Sequence, residues 1–201
     1  MSNLSGVLVL RSLRCPRLRL PASTNPVEVL AVGTLLAFAL LLRVYDLGTP
    51  SLWMDEAITA EAAKGVLEHG FPVLPSDQSY TRGLLNTYIV AASFKLLGVS
   101  EFAGRLPSVA FGTATVAVVY LLGTALGGRR VGIIAAVILA VTDWDIAMSR
   151  QARMYAQLEF FFWASLLTAH WFVLKVTWPR GALIAALTLG AILSHEFGFF
   201  L

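Results

Sequence analysis

Asp55 and Glu56 stand side by side in Trp53-Met54-Asp55-Glu56, directly after a strongly apolar segment and the helix-breaking run Gly48-Thr49-Pro50-Ser51. Ionisable side chains beside lipid are costly unless they face water, a partner or a substrate, so this pair is the first candidate for chemistry. A second cluster of polar residues is Ser149-Arg150-Gln151-Ala152-Arg153-Met154-Tyr155. If that segment is helical, Arg150 and Arg153 lie one turn apart on one face. Arg82 and the step Ser194-His195-Glu196 complete the set. An arginine fork binds an oxyanion in bidentate fashion. A positioned carboxylate can take a proton from a hydroxyl or amine, a contribution of about 10²–10⁴-fold. Acids facing arginines therefore suit a reaction in which an anionic group leaves and a nucleophile is deprotonated.

Each of these residues also has a plainer role. Asp55 at the start of a helix can serve the free backbone amides as an N-cap. His195 and Glu196 are adjacent, and adjacent side chains on a helix point about 100° apart, so alone they make a poor bidentate metal site. With Asp55 or Glu56 they could complete one. Otherwise they line a polar cavity or pair at a helix end. No metal ligand and no cofactor is assigned, with a divalent ion left open at that point. Asp143 and Asp145 are equally site lining or surface, and the aromatic run Phe160 to Trp163 has packing against lipid as its default.

The elements that must carry these residues are membrane helices. Of 201 residues, 57% are hydrophobic and only 13% charged, and the mean hydropathy is +0.74. Those values exclude an ordinary soluble domain. The pI near 9.3 does not point to nucleic acid, because the basic residues sit in small groups between apolar runs, where they orient spans. The single cysteine, Cys15, excludes an intrachain disulfide and a cysteine-built metal site.

In chain order, residues 1–26 form a basic arm with Arg11, Arg14, Arg17 and Arg19, expected to be cytoplasmic and not a cleaved signal. Residues 27–201 form the membrane domain. The first span runs from Val27 to about Leu47, with Arg43 near its outer end as an interface anchor or the partner of a carboxylate. Asp55 to His69 follows as a short amphipathic helix closed by Gly70 and Pro72. Residues 82–97 are too short to span and are read as a helix in the outer interface. Leu106 to Gly128, Val131 to about Ala147, Ala156 to Leu174 and Gly181 onward complete about five spans, with Arg129 and Arg130 at an inner turn. The fold class is thus all-α, a polytopic transmembrane bundle with interfacial helices in its first outer loop. Asp55, Glu56, Arg82, Asp143, Asp145, Arg150, Arg153, Glu159, His195 and Glu196 then all fall at the outer side, whereas the inner turns hold only arginine and lysine. A lipid-linked phosphosugar meets the chemistry: its lipid in the bilayer, its phosphate at Arg82, Arg150 or Arg153, its acceptor arriving from water.

Four stretches in order carry a resemblance. They are Trp53-Met54-Asp55-Glu56, then Phe94-Lys95-Leu96-Leu97-Gly98-Val99-Ser100-Glu101-Phe102-Ala103-Gly104-Arg105-Leu106-Pro107-Ser108, then Gly128-Arg129-Arg130, then Ser149 to Tyr155. From about Leu30 onward the chain resembles the N-terminal half of the GT-C polyprenyl-phosphate-sugar glycosyltransferases. It is most similar to the protein O-mannosyltransferase and aminoarabinose transferase group, family 39. The resemblance implies that Asp55 is the general base with Glu56 beside it. It also implies that Arg150, Arg153 and Tyr155 belong to the site. Members often carry a Lys-Pro-Pro motif in the first loop whose lysine meets the lipid phosphate; the matching stretch here is Tyr80-Thr81-Arg82-Gly83, with Arg82 in the lysine's place. His195 and Glu196 join the substrate-binding set.

The function expected is transfer of a sugar from a polyprenyl (dolichyl or undecaprenyl) phosphate to an extracytoplasmic protein, lipid or glycan acceptor. The setting is the cell membrane, with the N-terminus cytoplasmic, membrane lipids as surroundings and no nucleic acid. Family members are longer, so the chain is expected to be truncated. That motivates the alternative of a non-catalytic or vestigial membrane subunit. A transporter ranks last, since internal repeats and helices broken near mid-membrane are not visible.

Overall fold

The computed structural model describes residues 25–201, so nearly all of the basic arm, Cys15 included, lies outside the described residues. Eight α-helices follow in order: α1 Pro26–Val44, α2 Met54–His69, α3 Leu84–Leu97, α4 Glu101–Gly127, α5 Arg129–Ala140, α6 Asp143–Ser149, α7 Tyr155–Leu174 and α8 Trp178–Ser194. A 3-10 turn, Glu196–Phe200, comes last. Among the described residues there is no strand, only an isolated antiparallel bridge between Val73 and Ser79. The protein is an all-helical membrane bundle.

Local chemistry sets the helix ends. Asn25 caps α1 by accepting from the Val27 N–H at 3.0 Å, with Pro26 at the first helical position and Glu28 in the first turn. Ser100 caps α4 by accepting from Ala103 N–H at 3.2 Å. Gly70 ends α2 in the left-handed region at φ 77°, a conformation costly for any residue with a Cβ.

Among the described residues two helices are long and apolar enough to cross a bilayer, α1 with 19 residues and α4 with 27; a third crossing results if α5 and α6 act as one. Against the five spans expected, the difference lies in α7 and α8. Gln157, Glu159, Ser165, Thr168 and His170 lower the hydropathy of α7, and α8 has 17 residues. At 1.5 Å per residue α3, with 14 residues, reaches only about 21 Å, short of a hydrocarbon core of about 30 Å. It packs on α2 and α4 through Ala60, Ala63, Val90, Ala91, Phe94 and Ala103. A second small-residue cluster, Ala39, Val116, Ala136 and Ala140, joins α1, α4 and α5. Small side chains let backbones approach closely, which is how helices gain contact where no hydrophobic effect drives them together. Gly132 is the extreme case: a Cβ there would lie 2.1 Å from Thr124 Oγ1.

Three local expectations need correction. The span from Val131 to Ala147 is two helices, α5 and α6, meeting at 64°. Thr142 causes the break: its hydroxyl donates back to Ile138 O at 2.7 Å, and Asp143 and Asp145 favour a new helix N-terminus there. Residues 150–154 are bends and turn, so Arg150 and Arg153 do not share a helix face. The aromatic run is not wholly turned to lipid. Phe160 and Phe161 pack on Phe111 of α4 at 5.4 and 6.0 Å between centroids, while Phe162 is exposed.

Candidate active site

The start of α2 separates the two adjacent acids. Trp53 is the N-cap residue, and the Glu56 carboxylate reaches back to accept the Trp53 N–H at 3.0 Å. That turn points Glu56 inward, where it is 1% exposed and meets the Arg105 guanidinium twice: Nε to Oε1 and Nη2 to Oε2, each 2.9 Å. Ala152 N–H donates to the same carboxylate at 2.7 Å. Burial alone would raise the Glu56 pKa; Arg105 and the two backbone N–H groups outweigh it and hold the carboxyl below the usual range. Arg105 in turn donates to the carbonyls of Leu47, Pro50 and Ser51 at 2.9, 2.7 and 3.1 Å. One buried ion pair thereby ties α2, α4, the 47–51 turn and the 150–154 segment together. Asp55, one residue earlier, faces out and is 68% exposed.

Arg153 supplies the cation beside Asp55. Its side chain is 5% exposed, with Nη2 at 3.8 Å from Asp55 Oδ2. Nη1 donates to Asp55 O, Thr59 Oγ1 and Tyr80 Oη at 3.2, 3.3 and 3.2 Å. Its own carbonyl accepts from Ser108 Oγ at 3.0 Å, which seats the segment on α4. Burial works against its charge, but the Tyr155 and Tyr80 phenols outweigh that and raise its pKa. Nε is buried and has no acceptor, so one donor of the guanidinium is unused.

Asp55 and Arg153 begin a polar ledge that continues through Tyr155. Arg153 stands 5.7 Å over its ring, and the His195 ring centroid lies 6.2 Å from that of Tyr155. Burial, the largest influence, lowers the His195 pKa, so the imidazole is neutral at neutral pH. Its Nδ1 accepts the Phe197 N–H at 3.1 Å, which leaves the proton on Nε2. Arg82 and Glu196 pair at 3.6 Å, both more than 60% exposed. Gly83, at φ 64°, brings the first loop against Ser194 O and Met154. Asp55, Arg153, Tyr155, His195, Glu196 and Arg82 thus share one end of the bundle.

Arg150 stands apart. Its Nη1 donates to Leu42 O and Tyr45 O at 3.1 and 2.6 Å, capping the C-terminus of α1. Arg43 does the reciprocal: 0% exposed, it pairs with Asp145 of α6 and donates to Ala140 O at 3.4 Å, where α5 ends. Of the two roles open to Arg43, partner of a carboxylate is the one it plays. Among the described residues no group of three or more His, Cys, Asp or Glu converges as a metal site. Arg105, Tyr80 and Thr59 were not singled out from sequence. Arg105 lies within one of the resembling stretches, yet nothing local distinguishes it from a charge that merely ends a span.

A helical membrane bundle with an exposed acid and a buried arginine at one end is an integral membrane protein with acid–base and anion-binding groups gathered there. Residues 81–201 match the model of the dolichyl-phosphate-mannose-protein mannosyltransferase family, and the chain belongs to that family. The match begins after Asp55 and Glu56. An uncharacterised protein of Aquifex aeolicus (strain VF5) is similar too, 29% identical over 132 residues, which is 63% of this chain and 26% of that protein's length. No solved structure matches.

Proposed function

We propose that this chain takes part in sugar transfer from a polyprenyl phosphate to an acceptor outside the cytoplasm, with Asp55 as general base. The observation that carries the reading is the pairing of an exposed Asp55 carboxylate with a buried, permanently charged Arg153 less than 4 Å away. In the step proposed, an acceptor hydroxyl or amine attacks the anomeric carbon while its proton passes to Asp55. The bond from that carbon to the phosphate oxygen breaks, and the departing anion takes up both electrons. Arg153, and Arg82 at the rim, compensate the charge that develops on the phosphate; the neutral His195 and Tyr155 line the sugar's side. Glu56 acts through Arg105 and Ala152, holding Asp55 and Arg153 in register rather than touching substrate. Membership of the mannosyltransferase family supports a lipid-linked donor, and the apolar helices supply the bilayer in which its tail would lie.

The test is transfer of radiolabelled sugar from a panel of polyprenyl-phosphate sugars in membranes containing the protein, with Asp55→Asn alongside. Transfer should drop by about 10²–10⁴-fold in the variant at unchanged thermal stability. Equal transfer by both would remove Asp55 from the chemistry. No transfer by the inserted, stable wild-type chain would refute the reading for these residues.

A further inference from the structure

Beyond the ledge lies a cavity of about 570 Å³ that the transfer chemistry does not use. Leu139, Met148, Leu158 and Phe162 give it apolar walls, and Asp145 and Glu159 stand in it together. Tyr155 is common to the cavity and the ledge, so the two adjoin.

Two acids in this wall share one base. Arg43 is fully buried and holds Asp145 by Oδ2. Asp145 is 5% exposed, and its other oxygen, Oδ1, is buried without a hydrogen-bond partner. The Glu159 carboxyl lies against Asp145 and accepts from Trp163 Nε1 at 3.4 Å. With both acids ionised, two carboxylates stand against one guanidinium and one negative charge faces the apolar space; with the cavity empty, a proton held between the two carboxyls balances the wall. Such a charge is expensive unless something positive meets it. The cavity falls within the usual 300–1,000 Å³ of small-molecule sites. Trp144 adds an aromatic ring to the lining, a side chain that attracts cations.

We propose that this cavity binds an amphiphile with a primary ammonium head, the head between Asp145 Oδ1 and Glu159 and the apolar body against Leu139, Met148, Leu158 and Phe162. Three N–H donors on one positive centre satisfy the orphaned Oδ1 and the Glu159 carboxylate together and cancel the residual charge. A neutral head of the same size satisfies hydrogen bonds but leaves the charge. The site stands independently of the transfer reaction.

The experiment measures equilibrium binding of radiolabelled dodecylamine and of dodecanol to the whole chain in phosphatidylcholine nanodiscs at neutral pH, with empty nanodiscs subtracted. The expected result is one saturable site that takes the amine at least about tenfold more tightly than the alcohol. Glu159→Gln should abolish that preference while alcohol binding persists, and Leu139→Trp, which fills the cavity without touching a charge, should block both. Equal binding of amine and alcohol by the unaltered protein overturns the proposal and assigns the balancing charge to a proton shared by the two acids. Absence of saturable binding, or a preference that survives Glu159→Gln, overturns it as well.

Discussion

Asp55 keeps 68% of its side chain exposed while its neighbour Glu56 is 1% exposed and bonded on every side. Successive helical residues point about 100° apart, so adjacency in sequence assigns them to opposite duties. Removing one partner of a buried pair leaves an uncompensated charge, which costs about 3–5 kcal/mol. Glu56→Gln should lower unfolding stability by that order, measured by denaturant titration in detergent. The pH dependence follows from the same contacts. Because the folded-state pKa of Glu56 is depressed, its contribution is present above the ordinary glutamate pKa and lost as pH falls through the lower folded value. Wild-type stability should therefore decline in acid more steeply than that of Glu56→Gln, and parallel curves would assign the acid sensitivity elsewhere.

At the scale of elements, the joint between α5 and α6 decides where residues 150–154 lie. Arg43 from α1 meets Ala140 O and Asp145 on either side of the bend, and Arg150 returns to the carbonyls that end α1. Arg43→Met should therefore cost about 3–5 kcal/mol by stranding Asp145. Gly112 of α4 is the steric counterpart: a Cβ there would come 2.4 Å from Ser149 Cβ at the end of α6. Gly112→Ala should destabilise by about 1–3 kcal/mol through overpacking. It should also weaken the seating of Arg153, read as lower transfer activity with the protein still inserted; unchanged transfer and stability would mean that α6 shifts freely.

At the scale of the molecule, polarity is divided between the two ends. Arg82, Asp55 and Arg153 share one end, whereas α4 and α5 meet at Gly128 and Arg129, beside Glu28 of α1, at the other. In a bilayer these ends should face opposite compartments. With Cys15 replaced by serine, a cysteine at position 82 should react with an impermeant maleimide from the side opposite to one at position 130. Labelling of both from one side would contradict a membrane-crossing α4.

Composition and the uncharged apolar runs determined the class, because only a chain this apolar and this poor in charge prefers a bilayer. Some helix ends were legible too, since the stop Gly70 acts on neighbouring residues; the start of α4 was not, because its cap Ser100 lies ahead of the uncharged run that begins at Leu106. The residues of the ledge could be named for a related reason: ionisable groups at the ends of apolar runs stand out one by one. Their partners could not be named. Glu56 and Arg105 are 49 positions apart, Arg43 and Asp145 are 102, and such pairs exist only once the helices are packed. Packing also placed Arg150 at the end of α1 rather than beside Arg153, and it broke the third apolar run at Thr142. Which acid is free and which is buried depends on the dielectric and the hydrogen bonds around each one. Those surroundings come from residues distant in the chain, so only the tertiary structure decided them.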